Sequence, residues 1–149
     1  MNISYCNQVN FYSAKYIKQK PPKSTGKELF NINLIEKYFG NYSKNDIIRS
    51  VTEFTAYGIA ENIRLFANPL SKIIVSGGGA NNYFLISILR KRLNCPEIIP
   101  IDDIGIPSSA KEAIAFAFLA YCKLLGIESN LPSVTGASRA IPLGAIAEH

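Results

Sequence analysis

The chain has 149 residues, which is enough for one domain with a buried core. Its 48% hydrophobic and 18% charged residues are typical of a globular protein and argue against intrinsic disorder. The net charge of +5 favours anionic ligands such as nucleotides, but the basic residues are scattered, so no nucleic acid partner is expected. Three separated cysteines and one histidine form neither a disulfide framework nor a ligand cluster, so no metal site is predicted.

The beginning of the chain contains no basic segment followed by an apolar core, which argues against a secretory signal. The longest apolar run, residues 113–121, is too short to cross a bilayer. We therefore expect a cytoplasmic protein without a membrane partner.

Residues 1–20 show no clean periodicity and are expected to form a divergent N-terminal arm, whereas residues 21–149 are expected to form a single domain. Thr25 and Glu28 have the spacing of a capping box, in which two side chains satisfy free N–H groups at a helix start. A short helical turn is therefore predicted after Thr25.

Further pairs with the same spacing predict helix starts downstream. They are Asn33 with Glu36, Ser43 with Asp46, and Ser109 with Glu112. The second of these pairs precedes a long amphipathic helix that ends near Asn68-Pro69, and we expect its apolar face to pack on the core. That face consists of Ile48, Val51, Thr55, Ile59, Ile63 and Phe66. The third pair opens residues 113–125, which are apolar nearly all round and are therefore predicted to be buried.

The centre of the chain predicts a strand, a glycine turn and a helix. The β-branched residues 73–75 favour a buried strand, and Gly77, Gly78 and Gly79 follow them. A second strand over residues 97–101 comes after the helix, and the helical connection predicts that the two strands are parallel. A turn of this kind is a candidate nucleotide site, because a ligand can approach a backbone that carries no Cβ.

The glycines partly match a dinucleotide-binding fingerprint. Gly77 and Gly79 fit the first two positions of the GxGxxG pattern, and Asp102 lies roughly 20 residues further on, where the ribose-binding acid of such folds stands. Asn82 occupies the third glycine position, which weakens the match. A Walker P-loop is excluded because no Lys-Ser/Thr pair follows the glycines.

Four ordered segments resemble the C-terminal part of anhydro-N-acetylmuramic acid kinases. They are residues 22–28 (PKSTGKE), 75–82 (VSGGGANN), 111–117 (KEAIAFA) and 130–137 (NLPSVTGA). The resemblance implies an α/β fold, the C-terminal lobe of an actin- and hexokinase-like (ribonuclease H-like) kinase, with a small, mostly parallel sheet flanked by helices. These bacterial sugar kinases use ATP with Mg²⁺ and water to open and phosphorylate 1,6-anhydro-N-acetylmuramic acid during peptidoglycan recycling.

The resemblance also implies site residues. The nucleotide side would consist of Gly77, Gly78, Gly79 and Asn82, and Asn is the residue that this family has at the last of these positions. The substrate side would consist of Lys23, Ser24, Thr25, Asp102 and Glu112. The chain departs from the family at Lys27, where Arg is usual, and at Ser109 and Ala110, where Asp and a bulkier residue are common.

No catalytic residue is predicted. In these kinases the first phosphate motif and the carboxylate that activates water precede the Lys-Ser-Thr-Gly segment, and the residues ahead of Lys23 resemble neither. The resemblance therefore implies that the N-terminal lobe is absent and that the chain alone is inactive. Three hypotheses remain open: a kinase part completed by a separate chain, a non-catalytic remnant that still binds nucleotide, and a Rossmann-type dinucleotide module. A missing lobe would expose an apolar patch, which predicts association with a complementary half or a homodimer.

Overall fold

Two short parallel strands and the helices beside them form the centre of the fold. The computed structural model describes residues 15–39, 41–67, 70–94 and 97–147. Its elements are α1 (Ile32–Phe39), α2 (Lys44–Phe66), β1 (Ile73–Val75), α3 (Tyr83–Leu93), β2 (Ile98–Pro100), α4 (Lys111–Leu124) and α5 (Pro132–Thr135), with 3-10 turns at Gly78–Asn81 and Ile101–Ile104. Residues 1–14 of the arm expected over residues 1–20 lie outside the described residues. Residues 15–18 of that arm are helical.

The sheet agrees with the sequence-based expectation. β1 and β2 are parallel, and the register pairs Ile73 with Ile98 and Val75 with Pro100. Helix α3 connects them, so the predicted strand, glycine turn, helix and parallel strand are confirmed. The expected burial of the first strand is wrong, because Ile74 is 48% exposed and no residue of β1 is fully buried. Side chains alternate between the two faces of a strand, and the described part of the chain covers only the face that carries Ile73 and Val75. The α/β class with a small parallel sheet and flanking helices is likewise confirmed.

The core lies where α2 crosses α3 and the sheet. Its buried side chains are Ala56, Ile86, Leu89 and Ile98, with Ala56 entirely inaccessible to solvent. Alanine at this crossing has no side chain beyond Cβ, which lets two helix backbones approach closely. The expectation that the apolar face of α2 packs on the core is only partly right, because Ile48, at the beginning of that face, is 66% exposed. The middle of that face lines an apolar cavity of about 670 Å³ between α2, α1 and residues 16–23.

The helix starts test the predicted capping boxes. The cap of α2 is confirmed, since the Asp46 backbone N–H donates to Ser43 Oγ at 3.2 Å. The cap predicted at Asn33 is wrong, because α1 begins earlier and Asn31 Oδ1 accepts from the Leu34 N–H at 3.1 Å. Thr25 Oγ1 does donate to the Glu28 carboxylate at 3.3 Å, but residues 27–29 form a turn and not a helix.

The cap predicted for α4 is also wrong. The preceding turn ends with the Ala110 N–H donating to the Pro107 carbonyl, and Ala110 then takes the N-cap position without a side-chain hydrogen bond. Ser109 therefore stands one residue too early for its hydroxyl to serve as the N-cap acceptor.

Helix α4 contradicts the expectation of burial. Cys122 is its one buried residue, at 1% exposure, whereas Phe116 is 70% exposed and Leu124 is 73% exposed. The buried core cluster is formed by residues of α2, α3 and β2, and no further layer covers α4 in the described part of the chain. An all-round apolar composition here marks a helix with a large exposed apolar surface. Within the described ranges, no helix combines the length and the apolar character needed to cross a membrane.

Candidate functional site

The glycine turn leaves the backbone open to a ligand. Gly77 follows β1 with φ of +83°, a left-handed conformation that favours glycine. A Cβ built on either Gly77 or Gly78 would meet no heavy atom within 4 Å, so the space beside both residues is free. A Cβ on Gly79 would instead touch Leu85 at 3.6 Å, which is ordinary packing. The two glycines nearest to β1 therefore offer the close approach that a nucleotide requires.

Asn82 connects this turn to α3. Its Oδ1 accepts from the Leu85 N–H at 3.0 Å and caps the helix, which leaves its amide NH₂ available for other contacts. The same residue lines a cavity of about 380 Å³ between the first half of α2 and the start of α3. The cavity is lined by Asn45, Ile48, Arg49, Thr52, Asn82 and Phe84.

The carboxyl ends of both strands meet beside the glycine turn, which is where ligands bind in open parallel sheets. Lys111 Nζ, in the first turn of α4, donates to Ser76 Oγ at 3.1 Å, directly before Gly77. Glu112 is the next residue of α4 and is exposed. Sequence reasoning gave no site role to Ser76 or Lys111, although both lie inside the segments that carry the family resemblance.

Asp102 lies at the end of β2, in the second 3-10 turn. Its Oδ1 accepts from the Ser108 N–H at 3.1 Å. This hydrogen bond stabilises the charged carboxylate and lowers the pKa of Asp102 below its ordinary value, and the Ser108 side chain adds to the effect. The charge of Asp102 thus ties the turn after β2 to the segment that leads into α4.

Lys23 has a different set of partners. Its ammonium donates to the carbonyls of Ile17 at 2.8 Å and Tyr16 at 3.3 Å. It also lies over the Tyr16 and Phe66 rings, 5.1 and 4.8 Å from their centres. Desolvation of the ammonium lowers the pKa of Lys23. These contacts hold Lys23 at the C-terminal end of α2.

The structure therefore separates the predicted site residues into two groups. Phe66, against Lys23, comes 14 residues after Thr52, which lines the cavity with Asn82. At 1.5 Å per helical residue, that is about 21 Å along α2. Ser24 and Thr25 follow Lys23 in the chain and lie in its group. The nucleotide residues, Asp102 and Glu112 belong to the sheet end of the molecule.

No three Asp, Glu, His or Cys side chains cluster as a possible metal site in the part of the chain that the structure describes.

The comparisons with known proteins address the family directly. A sequence profile described as anhydro-N-acetylmuramic acid kinase matches residues 8–149. The chain belongs to the anhydro-N-acetylmuramic acid kinase family. The resemblance drawn from the four sequence segments is thereby confirmed.

Relatives that bear the same family name agree with the profile. The anhydro-N-acetylmuramic acid kinase of Francisella tularensis subsp. novicida is 46% identical over 137 residues, which are 88% of this chain and 36% of the relative. The kinase of Rippkaea orientalis is 42% identical over 139 residues, 89% of this chain and 36% of the relative. The kinase of Vibrio cholerae is 41% identical over 134 residues, 88% of this chain and 36% of the relative. The chain thus spans about a third of the length of these relatives.

The hydrogen bond at Asp102 predicts a pH dependence of stability. Because the folded-state pKa lies below the unfolded value of about 3.9, its contribution is complete above that value and is lost as the pH falls through the folded-state pKa. Urea unfolding between about pH 5 and pH 2 should show a shallower loss of stability for Asp102→Asn than for the wild type. The control Asp103→Asn removes a neighbouring carboxylate that does not bind Ser108 and should retain the steeper curve. Identical curves for Asp102→Asn and the wild type would contradict the assignment.

Proposed function

We propose that this chain supplies the nucleotide-binding side of an anhydro-N-acetylmuramic acid kinase that uses ATP with Mg²⁺, and that Gly77, Gly78, Gly79 and Asn82 form this side. The observation that carries the proposal is the open backbone at Gly77 and Gly78, between β1 and α3, in a chain of this family. The relatives bear the name of an anhydro-N-acetylmuramic acid kinase, which supports a phosphoryl transfer to that amino sugar in peptidoglycan recycling. The cytoplasmic location expected from the sequence belongs to the same proposal.

In this proposal the nucleotide passes along the glycine turn. Gly77 and Gly78 allow close approach of the ribose and phosphates, and Gly79 and Asn82 fix the turn against α3. The ammonium of Lys111, held at Ser76, provides a positive charge beside the turn for the phosphates. Mg²⁺ would be carried mainly by the phosphate oxygens, as is common for this ion.

The acceptor sugar is assigned to the same end of the sheet. Glu112 and Asp102 are the candidates there. Glu112 follows Lys111, which contacts Ser76 just before the glycine turn. Asp102 lies in the turn after β2 and binds Ser108, in the segment that leads into α4. A role of Lys23, Ser24 and Thr25 in binding the same sugar would require a binding region that extends about 21 Å along α2. We therefore place Glu112 and Asp102 first among the substrate-binding candidates.

Gly78→Val is the sharpest test of the nucleotide site. A Cβ at this position would meet no heavy atom within 4 Å, and Gly78 has no positive φ, so the fold should be kept while the ligand space is filled. Calorimetry should show ATP and ADP binding to the wild type and at least a tenfold weaker affinity for the variant, with an unchanged urea midpoint for unfolding. Ser71→Val, at an exposed position before β1, is the control for a general effect of valine. Equal ATP binding by Gly78→Val and the wild type would move the site elsewhere, and tighter binding of NAD than of ATP would favour the dinucleotide alternative.

We further propose that this chain alone does not phosphorylate the sugar. Phosphoryl transfer needs positioned phosphates, a metal ion and an oriented nucleophile, and the matches cover about a third of the relatives' length. The purified 149-residue protein should give no phosphorylated product from ATP and 1,6-anhydro-N-acetylmuramic acid. Co-expression with the unmatched part of the Francisella relative should restore product if the chain is part of a split kinase. Nucleotide binding without rescue would identify a non-catalytic remnant, and product from the chain alone would refute the proposed inactivity.

The exposed surface of α4 supports association with a complementary kinase half or with a second copy. Phe116 and Phe118 are 70% and 61% exposed, so covering them removes apolar area from water without disturbing the core. Light scattering should show a mass that rises with protein concentration, and Phe116→Lys should reduce that rise. Ser71→Lys adds the same charge at an exposed polar position and should leave it unchanged. A constant monomer mass over a wide concentration range would contradict the proposal.

A further inference from the structure

The apolar cavity between α1, α2 and residues 16–23 lies apart from the proposed nucleotide site. Its volume of about 670 Å³ is within the range of small-molecule sites, roughly 300–1,000 Å³. We propose that it binds a fatty acid, with the alkyl chain inside the cavity and the carboxylate on Lys23. This inference does not depend on the nucleotide site, because Lys23 contacts Phe66, about 21 Å along α2 from Thr52.

Aromatic and aliphatic side chains form the walls of the cavity. Three rings pack in a row, with 6.1 Å between the centres of Tyr16 and Phe30 and 5.9 Å between those of Phe30 and Phe54. These contacts hold the rings in position without a ligand. Leu34 of α1 and Ile63 of α2 add aliphatic surface to the same cavity. Such walls favour an alkyl chain, because binding removes apolar area of both partners from water.

The polar side chains of the walls are turned toward the backbone. Asn31 Oδ1 accepts from the Leu34 N–H at 3.1 Å. Thr55 Oγ1 and Asn62 Nδ2 each donate to the carbonyl one helical turn earlier on α2, both at 2.8 Å. A sugar, whose hydroxyl groups need several partners, would leave hydrogen bonds unmade in these surroundings, whereas an alkyl chain requires none.

Lys23 is suited to the head group of the ligand. Among the described residues that line the cavity, it alone carries a charge. The carbonyls of Tyr16 and Ile17 use two of its three N–H donors, so one donor remains. Desolvation lowers the pKa of Lys23, and a bound anion offsets that effect. A phosphate monoester carries a charge of about −1.5 to −2 at pH 7, so a single ammonium with one free donor matches a carboxylate better.

Calorimetry with the full chain tests the assignment without any substitution. Decanoate should bind saturably and at least about tenfold more tightly than decanol, which has the same chain without the charge. Hexanoate should bind at least about tenfold more weakly than decanoate, because each buried methylene is worth roughly fourfold in affinity. The absence of saturable decanoate binding would overturn the inference, and equal affinities for decanoate and decanol would overturn the role of Lys23.

Lys23→Met removes the ammonium and keeps an unbranched apolar side chain. Its affinity for decanoate should fall to that for decanol, and its affinity for decanol should stay near the wild-type value, which separates loss of the charge from damage to the fold. Lys91→Met removes an exposed charge on α3 and is the matched control. It should bind both ligands as the wild type does.

Thr55→Trp tests the cavity separately from the charge. Thr55 lines the cavity at an exposed position of α2, so a large side chain there should fill ligand space and keep the fold. Decanoate and decanol should both bind at least about tenfold more weakly. Thr135→Trp is the matched control, because the hydroxyls of both threonines donate to the carbonyl four residues earlier and Thr135 is exposed on α5. It should leave decanoate binding unchanged.

Other occupants of the cavity predict different results. Loss of decanoate binding in Phe116→Lys but not in Thr55→Trp would assign the alkyl chain to α4 and overturn the inference. If decanoate does not bind and Thr55→Trp lowers the mass measured by light scattering, the cavity is an interface between two copies. Decanoate binding by a variant that lacks residues 1–14, but not by the full chain, would also overturn the inference, in favour of that segment.

Discussion

The close crossing of α2 and α3 is the constraint on which the rest of the structure depends. Ala56 of α2 is fully buried in one cluster with Ile86 and Leu89 of α3. Helix packing of this kind fixes the start of α3 against α2, and the start of α3 is where the glycine turn ends. The geometry of the candidate nucleotide site therefore depends on an alanine, Ala56, that carries no site chemistry of its own.

The local elements could be predicted because their signals are local. β-branched residues 73–75, the glycines after them and the Ser43 cap act within a few residues, and the strand, the turn and the cap are found at these positions, although the strand is not buried. The helix caps predicted at Asn33 and Ser109 are wrong, because spacing alone does not determine which residue caps a helix. Several residues near a helix start can cap it, and the choice depends on where the preceding turn ends, which spacing alone does not reveal.

The tertiary features could not be read from periodicity. The apolar stripe of α2 correctly marked a helix, but the buried contact is made by the small residues beside it. The composition of α4 indicated burial, yet burial requires a covering layer, and the pattern of one helix contains no information about its neighbours. Likewise, the contact between Lys111 and Ser76 joins residues 35 positions apart, and the separation of Lys23 from the glycine turn follows from the length of α2.

The hydrogen bond between Lys111 and Ser76 has a consequence for regulation. It links the exposed apolar helix α4 to the residue that precedes the open glycines. A partner that covers α4 and displaces Lys111 necessarily changes the free energy of placing phosphates beside the turn. Thermodynamic reciprocity then requires the nucleotide to change the affinity for that partner by the same factor. In that case, association at α4 and nucleotide binding are thermodynamically coupled.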